Sequence, residues 1–158
     1  MAKGCVDFSN DNEYYTPKAL VDFFGPFAYD PATTSDKAAE LGIPYYSTIE
    51  TDGLCSNWLD YGSIWINPPF THKHLFLNKA VETYRKTKAH ICILLPIEFL
   101  TTHRFHNSGA TGRLFIPKGR IRFQSGLGKD SRAPAFGTVV LRLEDSNSVE
   151  LLDISELR

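Results

Sequence analysis

The spacing of apolar and polar positions predicts alternating helices and strands, followed by a run of strands. Leu20, Val21, Phe23 and Phe24 form one apolar helical face behind Thr16 as cap and Pro17 at the first helical position, and Gly25-Pro26 stops the helix. Phe27-Ala28-Tyr29 reads as a short strand ending at Asp30-Pro31-Ala32. A helix then starts at Thr34 or Ser35 and closes at Gly42, before a strand at Tyr45 to Thr48. Ser63-Ile64-Trp65-Ile66 is a buried strand that runs into Asn67-Pro68-Pro69-Phe70. From His74 to Thr87, Leu75, Phe76, Leu77, Ala80, Val81 and Tyr84 recur at helical spacing opposite Lys79, Glu82, Arg85 and Lys86.

Ile91 to Pro96 is continuously apolar, as strands of parallel sheets are. This alternation implies right-handed crossovers and a doubly wound, mainly parallel α/β sheet. Thr101 to Ser108 is a further short helix ended by Gly109. Arg113 to Pro117, Gly119 to Phe123 and Phe136 to Leu143 are expected as antiparallel strands, a C-terminal hairpin with a long Gly-, Ser-, Lys- and Arg-containing loop over Gln124 to Ala135. Residues 1–13 carry no periodic pattern and read as a flexible arm, residues 14–144 as one domain, and residues 145–158 as an acidic tail.

Composition narrows the partners. With 158 residues, 42% of them hydrophobic, the chain buries one core and leaves no room for a second catalytic domain. Lys and Arg (17) nearly balance Asp and Glu (18), so a nucleic-acid surface must come from local segregation of charge. Such segregation is present: Lys118, Arg120, Arg122, Lys129 and Arg132 share the stretch from Pro117 to Pro134 with one acid, Asp130. Cys5, Cys55 and Cys92 have no metal-like spacing and read as ordinary thiols of a reducing compartment. The longest apolar run is too short for a membrane span and the N-terminus lacks a signal pattern, so the expected location is the cytoplasm, the host cytoplasm if the chain is phage-encoded. A monomer or weak homodimer is expected.

The chemistry concentrates where the apolar strand meets the prolines. Proline fixes its own φ, holds the preceding residue extended and has no N–H, so Asn67 and Pro68 present a rigid row of acceptors, the Asn67 Oδ1 and the Pro68 carbonyl. An exocyclic amino group on a flat heterocycle would give its two hydrogens to that row while its ring stacks on Phe70. Such a site suits methylation of an amine.

The tetrapeptide resembles the (Asp/Asn)-Pro-Pro-(Tyr/Phe) motif of amino-methyltransferases, and its flanks extend the likeness. Tyr15-Thr16-Pro17, Asp30-Pro31-Ala32, Asp52-Gly53-Leu54 with Trp58, Ile64 to Phe70, Leu94-Leu95-Pro96, Gly119 to Phe123 and Ala133 to Gly137 together resemble the phage-type DNA N-6-adenine methyltransferases, the Dam-like family. The resemblance implies a minimal class I, Rossmann-like fold that uses S-adenosylmethionine to methylate the 6-amino group of adenine in double-stranded DNA after base flipping. It implies Asn67, Pro68, Pro69 and Phe70 as catalytic. Tyr15, Thr16, Pro17, Asp30, Pro31, Ala32 and Asp52 would bind the cofactor, with Asp30 at its ammonium and Asp52 at its adenine amino group. Where the family has a glycine cluster after the first strand, this chain has Thr33-Thr34-Ser35.

His72 and Lys73 follow the catalytic loop directly and, with Arg120, Arg122, Lys129 and Arg132, are the expected DNA contacts. His72 and His74, and His103 and His106, stand at metal-ligand spacings but have no acidic ligands beside them, and no metal is expected. Two alternatives remain at this stage: a non-catalytic DNA-binding protein with a degenerate methyltransferase fold, and an amino-methyltransferase acting on RNA or on protein glutamine.

Overall fold

The computed structural model describes residues 14–119, 121, 123–125, 131–132 and 137–155. Their elements in chain order are β1 (Tyr14–Tyr15), α1 (Lys18–Phe24), β2 (Tyr29–Asp30), α2 (Ser35–Leu41), β3 (Tyr45–Tyr46), β4 (Ser63–Ile66), α3 (Lys73–Thr87), β5 (His90–Pro96), α4 (His103–Asn107), β6 (Gly112–Pro117), β7 (Phe123–Ser125), β8 (Ser131–Arg132), β9 (Thr138–Leu143) and β10 (Ser148–Leu152). Short 3-10 turns lie at Gly53–Cys55, Phe70–His72 and Ile97–Thr101.

The main sheet has seven strands in the order β10-β6-β9-β5-β4-β2-β3. All point the same way except β9, which lies antiparallel between β5 and β6. The mixed α/β architecture and mainly parallel sheet therefore agree with the pattern in the sequence. Strand residues alternate between two cores. Ile64, Ile66, Ile91, Ile93 and Leu95 face Phe76, Leu77, Ala80 and Val81 of α3, whereas Trp65, Cys92 and Leu94 face Leu20, Val21 and Phe24 of α1 and Leu41 of α2. That double coverage is why β4 and β5 are apolar at nearly every position. Each fully buried Leu, Ile or Phe contributes roughly 1.5–3 kcal/mol. Among the described residues, the Trp65 indole N–H is the buried side-chain polar atom without a partner.

Four expectations are corrected. Helix α1 begins one residue late: Pro17, not Thr16, is its cap, and no side chain caps it, because the Thr16 hydroxyl accepts from Asn67 instead. The strand expected at Gly119 to Phe123 is found at Phe123–Ser125, and it joins β1 and β8 in a separate three-stranded sheet rather than lying beside β6. β6 and β9 are antiparallel partners, but Ser148–Leu152 adds a parallel edge strand beyond β6. Cys92 is a buried free thiol while Cys55 is disulfide-bonded, so the cysteines are not all ordinary thiols. Other boundaries follow local chemistry: Thr34 caps α2 through Lys37 N at 3.2 Å, and Gly42 ends it in the left-handed region at φ 73°.

The turn at Gly53–Cys55 rests on the loop after β2. A Cβ on Gly53 would stand 1.9 Å from the Pro31 carbonyl oxygen, so only glycine allows this approach. Trp58 locks the turn from below, its Nε1 donating to Gly53 O at 2.8 Å. Gly53→Ala should therefore lower the unfolding free energy by about 1–3 kcal/mol. Gly62→Ala, where an added Cβ meets nothing within 4 Å, should stay within about 0.5 kcal/mol of wild type. Urea titration of the two variants measures the difference, and equal stabilities would show that the turn does not rest on Pro31.

Candidate active site

Because β2, β3, β4 and β5 are parallel, their carboxyl ends share one edge of the sheet. Ligands of open α/β sheets bind at such an edge. Asp30 closes β2, Ser47 follows β3, Asn67 follows β4, and the turn from Ile97 follows β5.

The loop after β4 is built by its prolines. Ile66, opposite Ile93, is the last residue of the β4–β5 ladder, and neither Pro68 nor Pro69 has an N–H to carry it further. The chain then folds back at Phe70–His72, where His72 N donates to Pro69 O at 3.1 Å and Lys73 Nζ donates to Phe70 O at 2.7 Å. Immediately before these satisfied carbonyls in the chain, the Pro68 carbonyl makes no hydrogen bond among the described residues. Asn67 Nδ2 donates to Thr16 Oγ1 at 3.1 Å, and Thr16 is buried. With its nitrogen donating to Thr16, the Asn67 amide has Oδ1 as its acceptor atom. The two expected acceptors thus belong to one held loop, with the half-buried Phe70 next in the chain.

Asp30 is 3% exposed, and its Oδ1 accepts from Ala32 N at 2.9 Å. Burial raises its pKa from 3.8 to about 7, with the Ala32 hydrogen bond opposing that rise. A polar chain beside it joins the neighbouring loops: the Tyr29 hydroxyl and Ser47 Oγ at 2.5 Å, Ser47 Oγ and Ser56 Oγ at 3.1 Å, and Ser56 Oγ to Asp52 O at 3.1 Å. Ser47 also bonds through its backbone to Asp30 O and Thr33 N. Thr33-Thr34-Ser35, in place of glycines, is therefore held by Ser47 and by the Thr34 cap. Asp52 is buried with φ 49°, and its Oδ1 accepts from Leu54 N at 3.1 Å, a turn-forming contact.

The residues assigned to the cofactor from the sequence fall around this edge. Thr16 touches Asn67, Asp30 with Pro31 and Ala32 ends the strand beside β4, and the Asp52 turn packs on Pro31 through Gly53. Tyr15 pairs with Gln124 of β7, and the Pro17 carbonyl accepts from Leu20 N at 3.1 Å. Trp58 lies in the core against Tyr29 and Phe76. Of the expected DNA contacts, His72 Nδ1 lies 2.9 Å from Thr71 Oγ1, and Lys73 lies 5.1 Å from the Phe99 ring besides bonding Phe70 O. Arg120, Arg122 and Lys129 lie outside the described residues, and Arg132 is on β8, paired with Phe123.

The sequence reading missed the Tyr29, Ser47 and Ser56 network and the contact between Arg104 and His74, 3.4 Å apart. Neither has a short-range spacing to reveal it, although both follow from strands ending at one edge. Among the described residues no three His, Cys, Asp or Glu side chains gather as a metal site, and no helix is long and apolar enough to cross a membrane.

A sequence model described as DNA N-6-adenine-methyltransferase (Dam) matches residues 9–150. A search of the curated proteins gives no match for this chain. The matched span holds Thr16, Asp30, Asp52, the Asn67 loop and the whole main sheet from β2 to β10 apart from its last two residues, and on that extent the chain belongs to the DNA N-6-adenine-methyltransferase (Dam) family.

Proposed function

We propose that this protein transfers a methyl group from S-adenosylmethionine to the 6-amino group of an adenine flipped out of duplex DNA, on a class I, Rossmann-like methyltransferase fold. The observation that carries the reading is the held Asn67 loop: an amide oriented by Thr16 beside a Pro68 carbonyl with no hydrogen-bond partner among the described residues. Family membership supports the same chemistry. The decisive experiment incubates the protein with labelled S-adenosylmethionine and unmethylated DNA and identifies the modified base by mass spectrometry.

One observation at the carboxyl edge supports this cofactor. Asp30 is a buried carboxyl whose ionised form is disfavoured by desolvation, so an ammonium beside it would be strongly welcomed. Asp30 would hold the amino group of the cofactor's methionine part, Thr16 and Pro17 its carboxylate, and Asp52 its adenine amino group. When bound, S-adenosylmethionine supplies a methyl group activated by the adjacent sulfonium.

The chain's own residues prepare the acceptor. The lone pair of the adenine amino nitrogen is shared with its ring. Accepting its two hydrogens at Asn67 Oδ1 and the Pro68 carbonyl draws that nitrogen toward tetrahedral geometry and stabilises the positive charge that grows on it. The extra proton leaves only after the nitrogen has become an ammonium, so no base need act first. Phe70 offers a ring face to the flipped base, offsetting part of the unstacking cost of a few kcal/mol.

Asn67→Ala removes one acceptor and should reduce turnover on the order of a hundredfold or more, with cofactor binding retained. Single-turnover methylation and calorimetry measure the two effects, and near-normal turnover would refute the assigned role. Phe70→Ala should weaken binding of DNA carrying a flipped or mismatched adenine by about 1–3 kcal/mol. Phe70→Tyr should bind like wild type, and an equal loss in both variants would count against stacking.

Asp30 predicts two opposite pH effects. Its folded pKa, about 7, lies above its ordinary 3.8. The native state therefore holds a proton that the unfolded chain has lost, and stability falls as pH rises between those values. Asp30→Asn should raise the stability of the cofactor-free protein at pH 8 by a few kcal/mol on the order of magnitude, a gain that fades toward pH 4. Cofactor affinity should move the other way, rising about tenfold from pH 6 to pH 8 in the wild type as Asp30 ionises and losing that dependence in Asp30→Asn. Melting curves and calorimetry across the range test both, and a pH-independent wild-type affinity would remove Asp30 from the ammonium site.

A further inference from the structure

The carboxyl end of β5 leads to a second group of charges that the catalytic proposal does not use. Thr102 caps α4 by accepting from Phe105 N at 3.2 Å, and the five-residue helix carries His103, Arg104 and His106, all exposed. Arg104 Nη1 lies 3.4 Å from His74 Nδ1 in the first turn of α3, next to Lys73 and His72 of the catalytic loop. The cluster therefore spans two elements that leave the sheet from the adjacent strands β4 and β5, on the same edge as Asn67.

Several other cations of the described surface are matched by acids: Lys18 with Asp22, Lys86 with Glu82, Lys88 with Asp145, Arg113 with Glu150 and Arg142 with Glu144. Arg104, His103, His106 and His74 form no ion pair with a carboxylate among the described residues. The pKa of His74 is held below the usual histidine value by burial and then by the positive charge of Arg104, Lys73 and His72. An exposed guanidinium without a carboxylate partner, beside a substrate edge, is suited to an anion supplied by a partner, and its fork matches phosphate oxygens.

We propose that α4 and the start of α3 form a phosphate-binding wall for duplex DNA, in which Arg104, flanked by His74, His103 and His106, grips the backbone beside the flipped adenine. This rests on the DNA substrate proposed above and adds contact residues to those expected from the Gly119 to Arg132 segment. Phosphate contacts of this kind set the position of the duplex and carry no base sequence.

Duplex binding by the full chain, measured by fluorescence anisotropy from low to moderate salt, tests the wall. Arg104→Ala should weaken duplex binding several-fold at low salt and flatten the slope of log affinity against log salt by about one unit, equally for duplexes of different sequence. Arg104→Lys should restore most of the slope, and Arg104→Glu should weaken binding further. S-adenosylmethionine affinity and melting temperature should be unchanged in all three. An Arg104→Ala protein with the wild-type salt slope overturns the wall while leaving the methyl-transfer reading intact. A loss of affinity confined to one DNA sequence overturns it too, because it assigns Arg104 to base reading. Conversely, a wild-type protein that binds duplex through Arg104 yet transfers no methyl group upholds the wall and sinks the proposed reaction.

Discussion

The constraint on which the site depends is the absence of two N–H groups. A parallel ladder needs a donor from each strand at regular intervals, and Pro68 and Pro69 cannot provide one. The β4–β5 ladder therefore ends at Ile66, in the middle of the most buried part of the sheet. The polar groups that follow need partners outside the ladder. Pro69 O and Phe70 O find them through His72 N and Lys73 Nζ. Asn67 does so through Thr16, a residue 51 positions away in the chain, and this one contact ties the start of α1 to the loop after the central strand.

Rigidity on one side of the site is balanced by electrostatic strain on the other. The loop after β4 is held by hydrogen bonds and fixed proline torsions. Asp30, a strand away, sits in a pocket that disfavours its charge. A buried ionisable group with a strongly shifted pKa at the open edge of a sheet is a poor choice for stability alone and a sound one for holding a cation. The hydroxyl chain through Tyr29, Ser47 and Ser56 fixes the surrounding loops without neutralising that carboxyl, since none of its bonds reaches the Asp30 side chain.

Charge on the outside follows the same division. Several exposed cations are matched with acids in pairs that contribute little to stability individually, while Arg104 of α4 stands beside His74 of α3. Net charge near zero conceals this arrangement, which appears only when α3 and α4 are brought side by side.

Much of the fold was legible in the sequence because it is local. Apolar runs identified the strands β4 and β5, helical period identified the amphipathic α3, and cap chemistry at Thr34 and Gly42 bounded α2 within a residue. The Asn67-Pro68-Pro69-Phe70 loop could be recognised for the same reason, since proline torsions act on adjacent residues whatever surrounds them. Tertiary structure decided what sequence separation hides. Thr16 looked like a helix cap, and became the partner of Asn67, because a hydroxyl serves whichever donor the fold presents. Gly119 to Phe123 alternates apolar with basic residues like a strand in any sheet, but the strand found is Phe123–Ser125, and its pairing with β1 and β8 took it away from β6. The exchange of partners at β9, the raised pKa of Asp30 and the meeting of Arg104 with His74 each depend on segments tens of residues apart, whose contact energy no local pattern encodes.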